Sequence, residues 1–356
     1  MNNALLSADF APLPNLAEPR WWTGTPALPP KLFTIDGDEF RVNGAPLEPS
    51  KELAERMQKT FNDVGLVHVI NTGLDKLQSM RLIATQVIKT QRDYEGGANP
   101  RKSLEANVYE VGAPLEAWLH YHHEMAYIGS STTMVGFLCH KMPSEGGYTF
   151  VSDSVQATNA ILATPFGQKL KDLGICYHRN LTDRRGFVGV PEVGVYNHWQ
   201  QSMMTEDPDE AIAEARKRGL DAEWGDNGLL KTRYTASAFE YFPQLDRNLL
   251  YSSMADDSAW FDTWPLVQHL PISDRPLKLT FGDGSEMTYD EKQLFLDVYD
   301  DYGIPIEWEV GDVALICNYR FAHGRPAVHV KEGEERELGV LIGDAFDRLQ
   351  TFDDKW

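Results

Sequence analysis

Leu119-His-Tyr-His-His-Glu-Met-Ala-Tyr127 is the stretch on which the reading of this chain turns. Within it His122 and Glu124 form an H-x-E pair. In a strand, residues two apart project to the same face. A strand over His120–Tyr127 would therefore send His122 and Glu124 inward together and turn His123 away. Two competing metal motifs fail on inspection. A zincin needs H-E-x-x-H, but His123-Glu-Met-Ala126 is followed by Tyr127. An H-x-H pair of the cupin type, on His120 and His122, wants a glutamate soon afterwards, and positions 126–128 are Ala, Tyr and Ile. His120 and His123 are accordingly read as structural or supporting residues.

A third ligand is available in Asn318-Tyr-Arg-Phe-Ala-His-Gly-Arg325, where His323 follows an apolar strand entered through a Gly-Asp turn. His122, Glu124 and His323 make a candidate 2-His-1-carboxylate set. Such a set caps one face of an octahedral metal and leaves the opposite face open, which suits Fe(II) that must admit a co-substrate and dioxygen. Arg336 then starts the alternation Arg336, Leu338, Val340, Ile342, which places a cation on the core-facing side. An inward arginine is costly unless an anion pairs with it. A dicarboxylic co-substrate held bidentately would meet that need; an internal salt bridge to a nearby glutamate is the plainer alternative.

Bulk properties limit the rest. With 356 residues, 42% hydrophobic and 24% charged, the chain has the composition of a globular protein. A net charge of −20 repels phosphate backbones and anionic lipids, so neither nucleic acid nor membrane is an expected partner. Met1 to Pro19 has no Lys or Arg and no continuous apolar run, unlike a secretory leader. Three cysteines, Cys139, Cys176 and Cys317, are widely spaced, which predicts reduced, buried thiols in a cytoplasmic protein. Homo-oligomerisation is left open.

Along the chain, residues 1–30 read as an irregular arm anchored by Trp21-Trp22. A helix should run from the N-cap Ser50 to Val64, stopped by Gly65, followed by a strand Leu66–Ile70 and a second helix over Leu74–Thr90. Short strands are expected at Val108–Val111, His120–Tyr127, Thr133–His140 and Tyr148–Val151, with a turn over Pro143–Gly147. One helix should cover Val155–Leu173. Residues 180–290 read as the least regular part, apart from a helix over Pro208–Gly219. The end of the chain returns to a helix Tyr289–Tyr302 and strands Glu307–Val310, Val313–Cys317 and Leu338–Ile342. No repeat or low-complexity linker divides the chain. One domain over 1–356 is expected, with 180–290 inserted as a lid and substrate walls.

Together these residues resemble the TauD/TfdA family of Fe(II)/2-oxoglutarate-dependent dioxygenases. The likeness is to the H-x-E branch that includes clavaminate-synthase-like proteins. It covers about residues 50–345 through Gly96-Gly97, Pro100-Arg101, His122–Tyr127, Gly146-Gly-Tyr-Thr149, Ser152-Asp-Ser154, Tyr177-His-Arg-Asn180, Trp199-Gln200, Phe281-Gly-Asp-Gly284, Trp308–Asp312, Asn318 and His323-Gly-Arg325. The resemblance implies a mainly β fold, a double-stranded β-helix (jelly-roll) core of the cupin-like kind with flanking helices. It implies His122, Glu124 and His323 as iron ligands, and Thr149 with Arg336 as partners of the distal carboxylate of 2-oxoglutarate. The implied chemistry consumes 2-oxoglutarate and O2, releases succinate and CO2, and oxidises an unactivated C–H bond by hydroxylation, desaturation or ring closure.

Some positions depart from the pattern. Cys317 stands where the family often has Asp, and Ala327–Glu335 is longer than the usual loop, which makes Arg325 a second candidate for the carboxylate contact. An intact Glu124 argues against halogenation, since halogenases of this fold carry a small residue there. The expected substrate is a small molecule, an amino acid or a natural-product intermediate of secondary metabolism. Tyr127, Arg179, Arg184 and Arg185 are candidate substrate contacts. An aromatic packed in the core, and a solvated loop balancing its acidic neighbours, explain them equally well. Two other classes compete with the oxygenase: a jelly-roll binding protein without turnover, and a zinc hydrolase using the same ligands.

Overall fold

Alternation along two strands shows how the core is organised. In Val313–Cys317 the side chains of Val313 and Leu315 join one apolar cluster, while Ala314 and Ile316 join another. In Glu337–Ile342, Leu338, Val340 and Ile342 share the second cluster, and Leu341 the first. A sheet buried on both faces needs cover on both. Here one face meets the helices Lys51–Val64 and Leu77–Ala84, through Leu53, Met57, Leu77, Met80 and Ile83. Each such side chain contributes about 1.5–3 kcal/mol on burial. The other face looks into the molecule.

The computed structural model describes residues 26–94, 101–111, 115, 119–186, 197–226, 228–253, 272–326, 328–348 and 351–356. Trp21-Trp22 and most of the expected arm, the Gly96-Gly97-Pro100 punctuation, and residues 187–195 of the loop after Arg179 lie outside the described residues.

The inner core is formed by two sheets. The larger has seven strands in the order Thr34–Asp36, Leu66–Ile70, Val313–Cys317, Met134–Lys141, Glu337–Ile342, Val108–Glu110 and Ser103–Glu105. The smaller has four: Gly303–Ile306, Thr149–Asp153, Phe321–Arg325 and Leu119–His122. One pocket is lined by side chains from both. This is the jelly-roll core with flanking helices that the sequence implied. Crossing between sheets in this way brings residues far apart in sequence face to face.

Gly324 is required where the smaller sheet is tightest. A Cβ there would lie 2.5 Å from Leu119 O and 2.7 Å from a ring carbon of Phe150. Gly324→Ala is therefore expected to push the Phe321–Arg325 and Leu119–His122 strands apart, costing about 1–3 kcal/mol as overpacking does. Chemical denaturation would register it as a lower midpoint at unchanged slope.

The local readings hold where the signal is local. Ser50 Oγ accepts from Leu53 N at 3.2 Å and starts the first helix, and Gly65, at φ 81°, ends it. Several expectations need correction. The second helix is confined to Leu77–Ala84. Before it, Thr72 Oγ1 bonds Gly311 O and Leu74 N; after it, Thr85 Oγ1 bonds back to Leu82 O, and both compete with helical pairing. The single helix expected over 155–173 is two, Ser154–Leu162 and Pro165–Leu173, because Thr164 caps a new start with Pro165 in the first turn. The strand expected at 307–310 lies instead at Gly303–Ile306, since Asp312 Oδ2 accepts from Glu309 N and turns the chain.

Residues 180–290 are also more regular than expected. With Ile175–Leu181 they form a four-stranded antiparallel sheet in the order Asp221–Trp224, Leu230–Ala236, Ile175–Leu181 and Leu277–Phe281. The helix Pro208–Lys217 was legible; the strands were not, because Leu230-Lys-Thr-Arg-Tyr-Thr-Ala236 buries alternate residues only at its first end. Leu230, Leu279 and Tyr177 belong to the same apolar cluster as Val151 and Phe321 of the smaller sheet. All three cysteines are buried free thiols. Among the described residues no helix is long and apolar enough to cross a membrane.

Candidate active site

His122 and His323 are direct cross-strand partners in the smaller sheet, their ring centroids 4.2 Å apart. Glu124 joins them by a route the sequence reading did not foresee. The strand ends at His122, and residues 124–127 form a turn in which Met125 adopts φ 60°. Convergence of His122 and Glu124 thus comes from a turn, not from strand alternation. His123 does face away: its Nδ1 lies 3.1 Å from Ser252 O and its Nε2 2.9 Å from Ser154 Oγ.

One ligand atom from each of His122, Glu124 and His323 lies within 4.8 Å of the other two, and among the described residues this is the one cluster of that kind. All three side chains are buried. His122 Nδ1 lies 2.8 Å from the carbonyl of His120. A carbonyl can only accept, so Nδ1 carries the proton and Nε2 presents its lone pair. Burial, then the neighbouring His323, pulls the His122 pKa down to about 3, so the ring is neutral and ready to ligate. Burial alone would raise the Glu124 pKa. The Arg101 guanidinium and the two imidazoles outweigh it and hold the carboxyl well below the usual range.

The turn carrying Glu124 is fastened from behind. Asn318 Oδ1 accepts from Glu124 N at 2.8 Å, and its Nδ2 donates to Glu124 O and Thr132 O. Ser131 Oγ also donates to Glu124 O. Arg348, paired with the buried Glu240, donates to Ala126 O. Supports of this kind would orient a carboxylate toward a metal.

The cluster opens onto a pocket. Phe137, Leu338 and Val340 form an apolar wall, and Thr149, Arg325 and Arg336 are the polar groups nearby. Thr149 Oγ1 accepts from Trp308 Nε1 at 3.1 Å. Arg336 Nε donates to Gly147 O at 3.0 Å, and burial lowers its pKa to about 10. The salt-bridge alternative for Arg336 fails. The flanking Glu335 and Glu337 pair with Lys141 and His140, and among the described residues no carboxylate pairs with Arg336. Arg325 donates to Leu115 O and Pro326 O.

The candidate substrate contacts divide. Tyr127 and Arg179 are buried, with the guanidinium 5.4 Å from the ring centre, and Tyr127 OH is 3.1 Å from Tyr94 OH. Arg184 and Arg185 are half exposed and paired with Glu206 and Asp183, as a solvated loop would have them. Two residues touching Glu124 were missed. Tyr94 carried no sequence signal at all, and Arg101 appeared only beside Pro100 as part of a pattern.

The donor set fits Fe(II): two imidazoles and one carboxylate, converging in a buried site. His323 Nδ1 is buried without a hydrogen-bond partner, and Arg336 is a half-buried cation with no carboxylate partner among the described residues. A family model, described as taurine catabolism dioxygenase TauD, TfdA family, matches residues 28–341. A clavaminate synthase-like protein of Arabidopsis thaliana is 28% identical over 237 residues, 65% of this chain and 68% of that one. Among solved structures, a taurine dioxygenase from Burkholderia xenovorans aligns over 88% of each chain at 13% identity with a TM-score of 0.46. AAD-2, solved with Mn(II) and N-oxalylglycine, aligns over 89% of this chain and 95% of its own at 13% identity and a TM-score of 0.45. With the family model matched from residue 28 to residue 341, the chain belongs to the TauD/TfdA family, dioxygenases that work with Fe(II), 2-oxoglutarate and O2.

Proposed function

We propose that His122, Glu124 and His323 hold the iron, that Arg336 and Thr149 hold the distal carboxylate of 2-oxoglutarate with Arg325 close by, and that the enzyme oxidises an unactivated C–H bond of a small molecule. The observation that carries this reading is the meeting, in one pocket, of the three candidate ligands and a half-buried Arg336 that has no carboxylate partner among the described residues. Iron bound there supplies the coupling of 2-oxoglutarate decarboxylation and dioxygen reduction to substrate oxidation. The protein's own part is positional. The His120 carbonyl fixes the His122 tautomer, and Asn318 fixes the Glu124 backbone. Arg336 orients the co-substrate by a charge-assisted contact, and the Phe137–Leu338–Val340 wall keeps water from the reacting groups.

The substrate class proposed is a free amino acid or a natural-product intermediate. The apolar cluster shared by the smaller sheet and the 175–281 sheet supports one catalytic domain, over which 180–290 would supply the substrate walls. The test is a panel of amino acids and related small molecules incubated with Fe(II) and 2-oxoglutarate under labelled dioxygen. A substrate should raise succinate release and gain one labelled oxygen if hydroxylated, or lose two hydrogens if desaturated or cyclised. Stimulation only by residues within a polypeptide or nucleic acid would refute the small-molecule reading.

A further inference from the structure

The two oxygens of Glu124 have different surroundings. Oε1 accepts from Arg101 Nη2 at 2.9 Å and from Tyr94 OH at 3.0 Å. Oε2 lies on the other side, 3.7 Å from His323 Nε2. A carboxylate oxygen has about two lone-pair sites. Both sites of Oε1 are therefore taken, and those of Oε2 remain for a metal.

The two donors are themselves fixed. The Arg101 guanidinium lies 3.9 Å from the centre of the Tyr94 ring, and Tyr94 OH is also 3.1 Å from Tyr127 OH. The Arg101 side chain is 11% exposed, so water does not compete for the contact as it would at the surface.

We propose that Arg101 and Tyr94 are positioning residues that hold Oε1 of Glu124 and so keep this carboxylate a one-oxygen metal ligand. The proposal rests on the metal reading given above. Its consequence is a count of free metal positions. Three one-atom ligands on an octahedral ion leave about three positions open. A 2-oxo acid offers two adjacent oxygens, its carboxylate and its keto group, and dioxygen needs one position more. A Glu124 that swung to bind through both oxygens would take the position left for dioxygen. The clamp protects that vacancy.

Mn(II), which is stable in air, reports the count through the water molecules exchangeable on it, read by pulsed electron paramagnetic resonance in D2O. The unaltered protein should show about three such waters, falling to about one with 2-oxoglutarate. Arg101→Met removes the charged donor while keeping the bulk of the side chain. It should still bind Mn(II), with one water fewer in each state. Arg101→Lys, which restores a cationic donor, should recover the missing water. Tyr94→Phe frees one lone-pair site at almost no change in volume and should also lower the count, which keeps the test available if Arg101→Met does not fold. A full count in either variant overturns that residue's part in the clamp. Loss of Mn(II) binding in Arg101→Met and Arg101→Lys alike would assign Arg101 a merely structural role. Failure of the metal reading looks different: His122→Ala and His323→Ala would then bind Mn(II) as tightly as the unaltered protein.

Discussion

Glu124→Ala should abolish oxidation. The carboxylate is the one anionic member of the cluster and is buried between His323 and Arg101. Its loss removes a ligand outright, so Fe(II) affinity should fall by more than the roughly 10–100-fold that follows loss of a supporting residue. The vacated position could admit halide, so weak halide transfer is the most that should remain. Arg101 would then be a buried cation without its partner, at a cost of about 3–5 kcal/mol in stability. Glu124→Gln separates the two effects. It keeps an oxygen for Arg101 and most of the stability, and should still lose turnover. Iron content and succinate release measured on both variants check this; full turnover in Glu124→Ala would remove Glu124 from the metal site.

Arg336→Ala should raise the 2-oxoglutarate concentration needed for half-maximal rate by roughly a hundredfold or more. The contact is between charges in a largely dehydrated pocket, where truncating one partner costs about 2–5 kcal/mol, and each 1.4 kcal/mol is about tenfold. Metal binding should be little changed, because Arg336 is not among the clustered ligands. Arg325→Ala should do less, since its guanidinium already donates to the Leu115 and Pro326 carbonyls. Saturation curves for the co-substrate in both variants rank the two arginines, and the reverse order would move the anchor to Arg325.

What was legible in the sequence follows the range over which each interaction acts. Ser50 and Gly65 bounded a helix because caps are local. The shared face of Leu338, Val340 and Ile342 was visible because side-chain direction alternates with a period of two in any strand, even one buried on both sides. The candidate ligand set could be picked out for the same reason that its geometry was misjudged. H-x-E spacing suits a strand, but here Met125 at φ 60° and the Asn318 side chain bend the chain into a turn that reaches the same end. Nothing within a few residues of Glu124 announces that bend, because its cause sits on a strand connection nearly two hundred residues away. Tyr94 and Arg101 were hidden for a similar reason: they meet Glu124 only through the tertiary fold. The sheet within 180–290 escaped notice because much of its burial comes from packing on the jelly roll rather than from a regular period.

The most direct test is an anaerobic crystal structure with Fe(II) and 2-oxoglutarate. The account predicts iron bonded to His122, to one oxygen of Glu124 and to His323, with the distal carboxylate of 2-oxoglutarate on Arg336 and Thr149. Iron on His120 or His123, or a co-substrate whose distal carboxylate leaves Arg336 untouched, would contradict it.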